Sequence, residues 1–336
     1  MSIGRSARFG ERAAARAIVF FALMLWLAAG APSRAQEIHV MHVQGRVYVL
    51  AGAGANITVQ VGDKAILLVD AGSAQRSDEV IAAIKALSPK PIEFIVDTSA
   101  DEDHIGGNQN LAKTGHFVTG LAGEDTEASV ISAEALLDRV SARSGGGNSA
   151  IPSDLWPSDT YDGDKWELFN DEAVILEHPH AAHTDGDSIV FFRRSDVVST
   201  GDIFTPNLYP KIELEKGGTI QGEIDALNRI IGIMVPEGNE EGGTYAIPGH
   251  GRVCDRTEMA NYRDMVTIVR DRIEDLVKKG KTLEQVKAAR PTLDYDGTYG
   301  ADTGAWTTDD FIAAVYSDLS GQNGADGKSA RGDGTR

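Results

Sequence analysis

Strand patterns and amphipathic helix patterns alternate in two rounds along this chain, and this order narrows the choice of fold more than any other property of the sequence. In the first round, residues 38–50 and 56–61 alternate apolar with small or polar side chains, and a fully apolar strand pattern follows at 65–70. A helical pattern then begins at Ser77 and leads to another strand at 92–96. We therefore predict a mixed α/β fold that begins with antiparallel strands.

The second round repeats this order. Strands are predicted at 173–177, 188–192, 197–200 and 244–247, and helices at 221–235, 257–279, 283–289 and 308–319. Between the two rounds, the pattern predicts a helix over 124–143 and a long exposed loop over 144–164, which is rich in Gly, Ser, Pro and Asp. Trp156 and Trp166 lie in or beside this loop, where each is either a wall of a substrate cleft or a packing anchor.

The first 35 residues have the organisation of a secretory signal peptide. Four arginines precede an apolar run at 17–29, and Ser33, Arg34 and Ala35 form a small-x-small cleavage pattern. This run is shorter than the roughly 20 residues that a membrane span needs. We predict cleavage after Ala35 and export to the periplasm or the medium, with no stable membrane association of the mature chain.

The charge balance and the cysteine content exclude several kinds of site. The chain has 32 Lys and Arg against 50 Asp and Glu; residues 1–35 carry five Arg and one Glu, so the mature chain has a net charge of −22. Such a chain lacks the broad basic surface that sequence-independent nucleic-acid binding requires, but its net charge indicates nothing about a small-molecule substrate, whose binding depends on local charges. The single cysteine, Cys254, excludes intrachain disulfides and thiolate-rich metal sites, and we expect it to be buried as a small apolar residue.

Four short segments place histidine or aspartate directly after a predicted strand. They are 99–108 (SADEDHIGGN), 178–187 (HPHAAHTDGD), 200–202 (TGD) and 248–251 (PGHG). Turns at strand ends can direct several side chains into one cleft. Imidazole and carboxylate ligands together suit zinc, manganese or iron, and the neighbours Asp103 and His104 can offer an oxygen and a nitrogen to one ion.

These segments, in this order, resemble the signature of the metallo-β-lactamase-fold superfamily. That signature is T-H-x-H-x-D-H-x-G-G-N after a strand, followed by a His in A-H-T-x-G-D, an Asp in T-G-D and a His in P-G-H-G. The resemblance extends from about residue 38 to residue 251 and includes the strand end LVDAG at 68–72. It implies an α/β fold of four layers, an αββα sandwich, with the site at one edge between the two sheets.

The resemblance, taken together with the signal-like start and the polar tail, implies a domain organisation. We expect a signal peptide at 1–35, a metallo-β-lactamase-like domain at 36–255, C-terminal helices packed on it at 256–320 and a disordered tail at 321–336.

Carried over residue by residue, the family's ligands map onto this chain incompletely. Asp103, His104 and His250 match the second metal site, and Asp202 matches the aspartate that bridges the two ions. Of the three histidines of the first metal site, one is retained, as His183.

The other two histidine positions of the first site hold Ser99 and Asp101. Serine is a poor ligand for a divalent ion, whereas an aspartate coordinates through oxygen. Three interpretations follow: one ion in the second site, two ions with Asp101 helping to hold an oxygen-favouring one, or loss of the metal. We favour metal binding because the second site and the bridging aspartate are complete.

The resemblance implies a hydrolase that holds one or two Zn²⁺ ions, with manganese or iron as alternatives. A bound ion lowers the pKa of a metal-bound water to about 7 and so supplies hydroxide for attack on a small ester, thioester, lactone or amide. Asp103 is then a ligand that orients this water, and we assign Asp101 the role of general base. A catalytically silent binding protein on the same fold and a β-lactamase are the alternative functions.

The remaining polar residues near His183 are expected to support the site rather than to bind metal. His178 and His180 are predicted to lie at its rim, since the family's single ligand in this segment maps to His183. Asp187 is expected to cap a turn or to accept a hydrogen bond from the His183 ring.

Overall fold

The computed structural model describes four stretches of the chain. They are residues 37–118, 125–142, 151–238 and 242–329. The predicted signal peptide lies outside the described residues, as do residues 143–150 of the predicted loop.

The first sheet has seven strands, in the order β1-β2-β3-β4-β5-β8-β9. They are β1 (His39–Gln44), β2 (Val47–Ala51), β3 (Ile57–Val61), β4 (Ile66–Val69), β5 (Ile92–Val96), β8 (Ser129–Ala133) and β9 (Asp159–Tyr161). The first four strands pair antiparallel, and β4, β5, β8 and β9 pair parallel. A separate ribbon joins β6 (Phe117–Val118) to β7 (Asp125–Thr126).

The second sheet has five strands in sequence order. They are β10 (Asp164–Phe169), β11 (Glu172–Glu177), β12 (Ile189–Phe192), β13 (Val197–Gly201) and β14 (Tyr245–Pro248). All neighbours pair antiparallel except β13 and β14, which pair parallel. Parallel strands end at the same edge of a sheet, so the segments after β13 and β14 emerge side by side.

Nine α-helices lie in the described part of the chain. They are α1 (Ser77–Leu87), α2 (Glu102–Ile105), α3 (Asn108–Ala112), α4 (Glu134–Ala142), α5 (Ile220–Ile233), α6 (Arg256–Lys278), α7 (Leu283–Ala289), α8 (Asp296–Tyr299) and α9 (Thr308–Ser329). No helix in these stretches is long and apolar enough to cross a membrane.

Alternation along the strands of the first sheet produces two separate apolar surfaces. In β4, Leu67 and Val69 belong to a cluster shared with the second sheet, whereas Ile66 and Leu68 belong to a cluster with Val80 of α1. Because successive strand residues point to opposite faces, a fully apolar strand must be covered on both sides.

The second sheet is covered in the same way. Phe192 of β12 faces the first sheet, and Phe191 belongs to the cluster formed with Leu227 of α5, Val269 of α6 and Phe311 of α9. The resulting order of layers is helix, sheet, sheet, helix, which confirms the predicted αββα arrangement with C-terminal helices.

Two local predictions were wrong. The range 124–143, predicted as one helix, contains β7, β8 and α4, and the described part of the predicted loop contains β9. Val130 and Ile131 of β8 are both buried, one on each face of the sheet. A strand that is apolar on both faces lacks the alternation that distinguishes a strand from a helix.

Two further boundaries differ from the sequence patterns. Residues 38–50 form the hairpin of β1 and β2, which turns at Gly45 with φ +57°. Helix α9 continues to Ser329, past residue 321, where the tail was predicted to begin; residues 330–336 lie outside the described stretches. Scarcity of apolar side chains argues against packing but does not prevent helical backbone hydrogen bonding.

Candidate metal centre

The segment after β5 supplies the largest share of the site. The chain leaves the sheet at buried residues Asp97 to Ser99 and enters α2, which carries Asp103 and His104. The Ser99 hydroxyl accepts a hydrogen bond from the Asp101 amide (3.3 Å), so it serves the local turn.

The strand end at Asp70 fixes this segment from behind. The Ala71 amide donates to the His104 carbonyl oxygen (2.8 Å), and the Gly107 amide donates to the Gly72 carbonyl oxygen (2.8 Å). A Cβ on Gly107 would lie 2.2 Å from the Ala71 oxygen, so the close approach requires glycine at this position.

Asp70 also orients His104. Its carboxylate accepts hydrogen bonds from the Thr98 amide (2.8 Å), the Thr98 hydroxyl (2.7 Å) and Nδ1 of His104 (2.9 Å). A proton held on Nδ1 leaves Nε2 of His104 with a lone pair for a metal ion. The sequence patterns place Asp70 at a strand end and do not identify this role, although a charged residue at the end of an apolar strand was a usable signal.

The ends of β13 and β14 supply Asp202 and His250 at the same edge. The Gly249 amide donates to the Gly201 carbonyl oxygen (2.8 Å), which holds the two turns together. A Cβ on Gly249 would lie 2.4 Å from Oδ1 of Asp202 and 2.9 Å from Cε1 of His104, so this glycine leaves room for the two functional groups.

The ligand atoms of four side chains lie close together at this edge. They belong to Asp103, His104, His250 and Asp202. Nε2 of His250 lies 3.2 Å from Oδ2 of Asp103 and 3.6 Å from Oδ1 of Asp202, and Nε2 of His104 lies 3.3 Å from the same Asp202 oxygen. The ligand atoms of the first three residues all lie within 4.8 Å of one another.

Two buried atoms of this four-residue group indicate that it can hold a cation. Nε2 of His104 and Oδ1 of Asp202 are buried and face each other at 3.3 Å, and apart from this contact neither has a hydrogen-bond partner within the described stretches. Buried polar atoms with so few partners are costly, and a cation placed between them would satisfy both. Two imidazoles with two carboxylates fit a divalent ion such as zinc.

The electrostatics of this group keep its carboxylates ionised. The His250 ring holds the pKa of Asp103 below its usual range, and Asp103 in turn raises the pKa of His250. Burial raises the pKa of Asp202, but the neighbouring imidazoles outweigh this effect and leave it far below the ordinary value. Ionised carboxylates are the form in which aspartate binds metal.

His183 lies in the turn between β11 and β12 and is supported as predicted by Asp187. Its Nδ1 is 3.4 Å from Oδ1 of Asp187, which also accepts from the Thr184 hydroxyl (2.7 Å). His178 and His180 stack edge to face, and Nε2 of His178 contacts the carbonyl oxygen of Asp185 (2.7 Å).

A second group joins Asp101, His183 and Asp202, whose ligand atoms also lie within 4.8 Å of one another. Unlike the first group, this group lies against two lysines. Oδ1 of Asp101 is 2.5 Å from Nζ of Lys216, and Oδ2 is 3.3 Å from Nζ of Lys211. Both lysines were missed by the sequence analysis.

Cys254 is buried, as predicted.

The two tryptophans beside the predicted loop lie in different environments. Trp156 packs against the cluster that includes Ala100 and Ile105, and its indole N–H donates to the Ile151 carbonyl oxygen (3.1 Å). Trp166 is 61% exposed on β10. Trp156 is thus a packing anchor beneath the α2 segment.

Comparison with known proteins agrees with the fold. The sequence model of the metallo-beta-lactamase superfamily matches residues 51–238, which include every candidate ligand except His250. A search of curated proteins found no match.

Three solved structures illustrate the likeness. A metallo-beta-lactamase from Pontibacter korlensis has a TM-score of 0.53 at 14% identity, covering 69% of this chain and 99% of that one. The sec-alkylsulfatase Pisa1 from Pseudomonas sp. has a TM-score of 0.63 at 17% identity, covering 89% of this chain and 52% of its own. The DIM-1 metallo-beta-lactamase has a TM-score of 0.52 at 13% identity, covering 69% of this chain and 98% of its own.

Proposed function

Because this chain belongs to the metallo-β-lactamase superfamily, we propose that it is an exported, metal-dependent hydrolase of a small ester, thioester, lactone or amide. The observation that carries the proposal is the convergence of four side chains, in which two buried atoms, Nε2 of His104 and Oδ1 of Asp202, have only each other as polar neighbours at hydrogen-bond distance within the described stretches. The other two side chains are Asp103 and His250.

The donor set favours zinc, with manganese or iron as alternatives. A bound divalent ion supplies a Lewis acid and lowers the pKa of a coordinated water towards about 7. Two nitrogens and two carboxylate oxygens match the ligands that zinc accepts in hydrolases.

The residues of the chain have separate tasks in this proposal. Asp70 fixes the tautomer and direction of the His104 ring through the 2.9 Å hydrogen bond. The side chains of Asp103 and His250 are 40% and 41% exposed, so substrate and water reach the centre from their side. Asp103 would hold the ion and, from this exposed side, would orient the attacking water.

Asp101 is poorly suited to the general-base role predicted from the sequence. Burial raises its pKa, but the ammonium groups of Lys216 and Lys211 outweigh this and hold it below the usual range. A carboxylate that is bound by two cations is a weak proton acceptor. We therefore propose Asp103, and not Asp101, as the carboxylate that contacts the attacking water.

Sulfate esters are a second substrate class. The likeness to the sec-alkylsulfatase covers 89% of this chain, compared with 69% for either lactamase. A secondary alkyl sulfate therefore belongs beside the ester, thioester, lactone and amide substrates in any test, together with a β-lactam.

The proposal is tested by metal content and hydrolysis of this panel, in wild type and His250→Ala. We expect stoichiometric metal, loss of turnover on chelation and recovery when the ion is restored. Loss of a ligand should reduce turnover by more than the roughly 10–100-fold that loss of a supporting hydrogen bond typically costs. Equal hydrolysis by both proteins would contradict the proposal, and a folded, metal-free wild type would favour the catalytically silent alternative.

Export is proposed from the signal-like start alone. Amino-terminal sequencing of protein from a periplasmic or secreted fraction should begin at Gln36. Recovery of the uncleaved chain in the cytoplasmic fraction would contradict it.

A further inference from the structure

A closed network of ion pairs lies at the position of the family's first metal site. It consists of four charged side chains: Asp101, Glu213, Lys211 and Lys216. Nζ of Lys216 lies 2.5 Å from Oδ1 of Asp101 and 2.6 Å from Oε2 of Glu213. Nζ of Lys211 lies 3.3 Å from Oδ2 of Asp101 and also pairs with Glu213. Each ammonium therefore joins the same two carboxylates, and the four charges sum to zero.

This network reaches the remaining histidine of the first site. Oε1 of Glu213 lies 3.5 Å from Nε2 of His183, the nitrogen that would face an ion. Asp101 is thus compensated by lysines. Nε2 of His183 is buried and makes no hydrogen bond within the described residues, but the Glu213 carboxylate lies beside it at ion-pair distance.

The turn that carries the lysines is fixed to the site by its backbone. The Glu213 amide donates to the His183 carbonyl oxygen (3.0 Å), and the Asp185 amide donates to the Lys216 carbonyl oxygen (3.0 Å). The Arg139 guanidinium donates to the same Lys216 oxygen (2.6 Å). The position of Lys216 is therefore set by the fold, and not by a loose surface loop.

An ammonium and a divalent ion compete for Asp101. An ion bound at the usual 2.0–2.2 Å from Oδ1 of Asp101 would lie within about 4.7 Å of the Lys216 ammonium. Like charges at this separation in a half-buried site repel strongly. The other group of ligands differs in this respect. In the described residues, no lysine or arginine forms an ion pair with Asp103, His104 or His250.

We propose that Lys211 and Lys216, bridged by Glu213, take the place of the first metal ion, so that the chain holds a single divalent ion among Asp103, His104, His250 and Asp202. This inference rests on the proposed function for the existence of the metal centre, and it adds the number of ions and the groups that set that number. The ammonium groups supply the positive charge that a first ion would otherwise provide.

The test is metal content per chain after loading with excess zinc and desalting, measured by elemental analysis of the full chain. We expect one ion in wild type, one ion in His183→Ala and less than one in His250→Ala. Two ions in wild type, falling to one in His183→Ala, would overturn the inference while leaving the proposed function standing. No ion in folded wild type would overturn both.

A lysine variant tests the cause. In Lys211→Met/Lys216→Met, Asp101 and Glu213 lose their counter-ions, and we expect the content to rise from one ion to two. Cobalt titration, followed by its visible absorption, should then show a second binding phase. A folded double variant that still binds one ion would show that the lysines do not exclude the second.

Lys165→Met is the matched control. Lys165 of the edge strand β10 is 22% exposed, as is Lys216, and its ammonium pairs with Asp159 of β9 at 2.6 Å. Lys165→Met removes one positive charge and one such ion pair, which is half the charge that the double variant removes, and we expect its metal content to stay at one ion. A rise in this variant would mean that general loss of positive charge, rather than the lysines beside Asp101, controls the second ion.

Discussion

The two ring nitrogens of His104 have separate tasks, and the difference between them decides whether the site can hold an ion. Nδ1 is bound to Asp70 at 2.9 Å, and Nε2 faces Asp202 at 3.3 Å. Burial lowers the pKa of His104, but Asp202 and Asp70 outweigh it and raise the pKa well above the ordinary value. A divalent ion at Nε2 would replace the ring proton that these carboxylates otherwise stabilise.

Asp70→Asn is predicted to weaken metal binding by about 10–100-fold, the range expected when the partner of a ligand histidine is lost. An amide can donate to Nδ1, which favours the tautomer whose proton lies on Nε2. Asn also tolerates the φ of +65° found at this residue, so the backbone should be kept. A dissociation constant measured against a chromophoric chelator checks this, with the exposed Asp63→Asn as control; equal affinity in both variants would refute it.

Glu223 is a fully buried carboxyl, and it should make stability depend on pH. Burial raises its pKa well above the usual range, and Asp187 raises it further. The native state then keeps a proton that the unfolded chain releases at its ordinary pKa. The free energy of unfolding should therefore fall as pH rises through the interval between the two pKa values.

Glu223→Gln removes this dependence because an amide does not ionise. We expect the variant to be as stable as wild type near pH 4 and more stable at higher pH, by up to about 1.4 kcal/mol per pH unit within that interval. Urea unfolding at several pH values checks this, with exposed Glu127→Gln as the control. A difference that does not change with pH would count against a protonated Glu223.

The residues that the sequence analysis missed share a physical reason. Lys211, Glu213 and Lys216 lie in a segment without helical or strand periodicity, and each is unremarkable in an acidic chain. Their meaning comes from a fold that brings them to Asp101, more than 100 residues earlier. The ligand residues were predictable because short motifs at strand ends carry them.

At the scale of elements, the turn after β14 positions His250, and the Asn56 side chain fixes this turn. Nδ2 of Asn56 donates to the carbonyl oxygens of Pro248 and Gly251, both at 2.9 Å, and the Asn56 amide donates to the Gly249 oxygen at 2.7 Å. The loop before β3 thereby connects the first sheet to a ligand of the second.

Asn56→Ala is predicted to cost about 1–3 kcal/mol of stability, because it leaves two carbonyl oxygens without their donor. It should also weaken metal binding, since His250 loses its fixed position. Asn170→Ala is the matched control: Asn170 donates to the Ala65 carbonyl oxygen and the Gln60 side chain, away from the site. If both variants lost stability but neither lost metal affinity, the proposed role of Asn56 would be wrong.

The strands show which elements a sequence pattern can locate. The boundaries of β11 to β14 were predicted to within one residue, because these short apolar segments are separated by clear turns. Strand β8 was taken for helix because it is buried on both faces between β5 and β9. In such a strand only the pairing partners, which are distant in sequence, distinguish the two structures.

At the scale of the whole molecule, the candidate centre lies where strands of both sheets end together. The segment after β5 brings Asp103 and His104 from the first sheet, and the ends of β13 and β14 bring Asp202 and His250 from the second. Ligands that belong to separate layers meet only when both sheets are packed, so metal binding should stabilise the sandwich as a unit. The resemblance to the superfamily predicted this arrangement, whereas composition and periodicity alone predicted only a mixed α/β fold.

Anomalous diffraction from crystals of the metal-loaded protein, collected at the absorption edge of the ion found by elemental analysis, would locate the centre. We expect one strong peak about 2.0–2.2 Å from Nε2 of His104 and Nε2 of His250, in contact with Asp103 and Asp202. A map with no peak at these four residues, or with its only peak beside Asp101 and His183, would contradict the proposed metal centre.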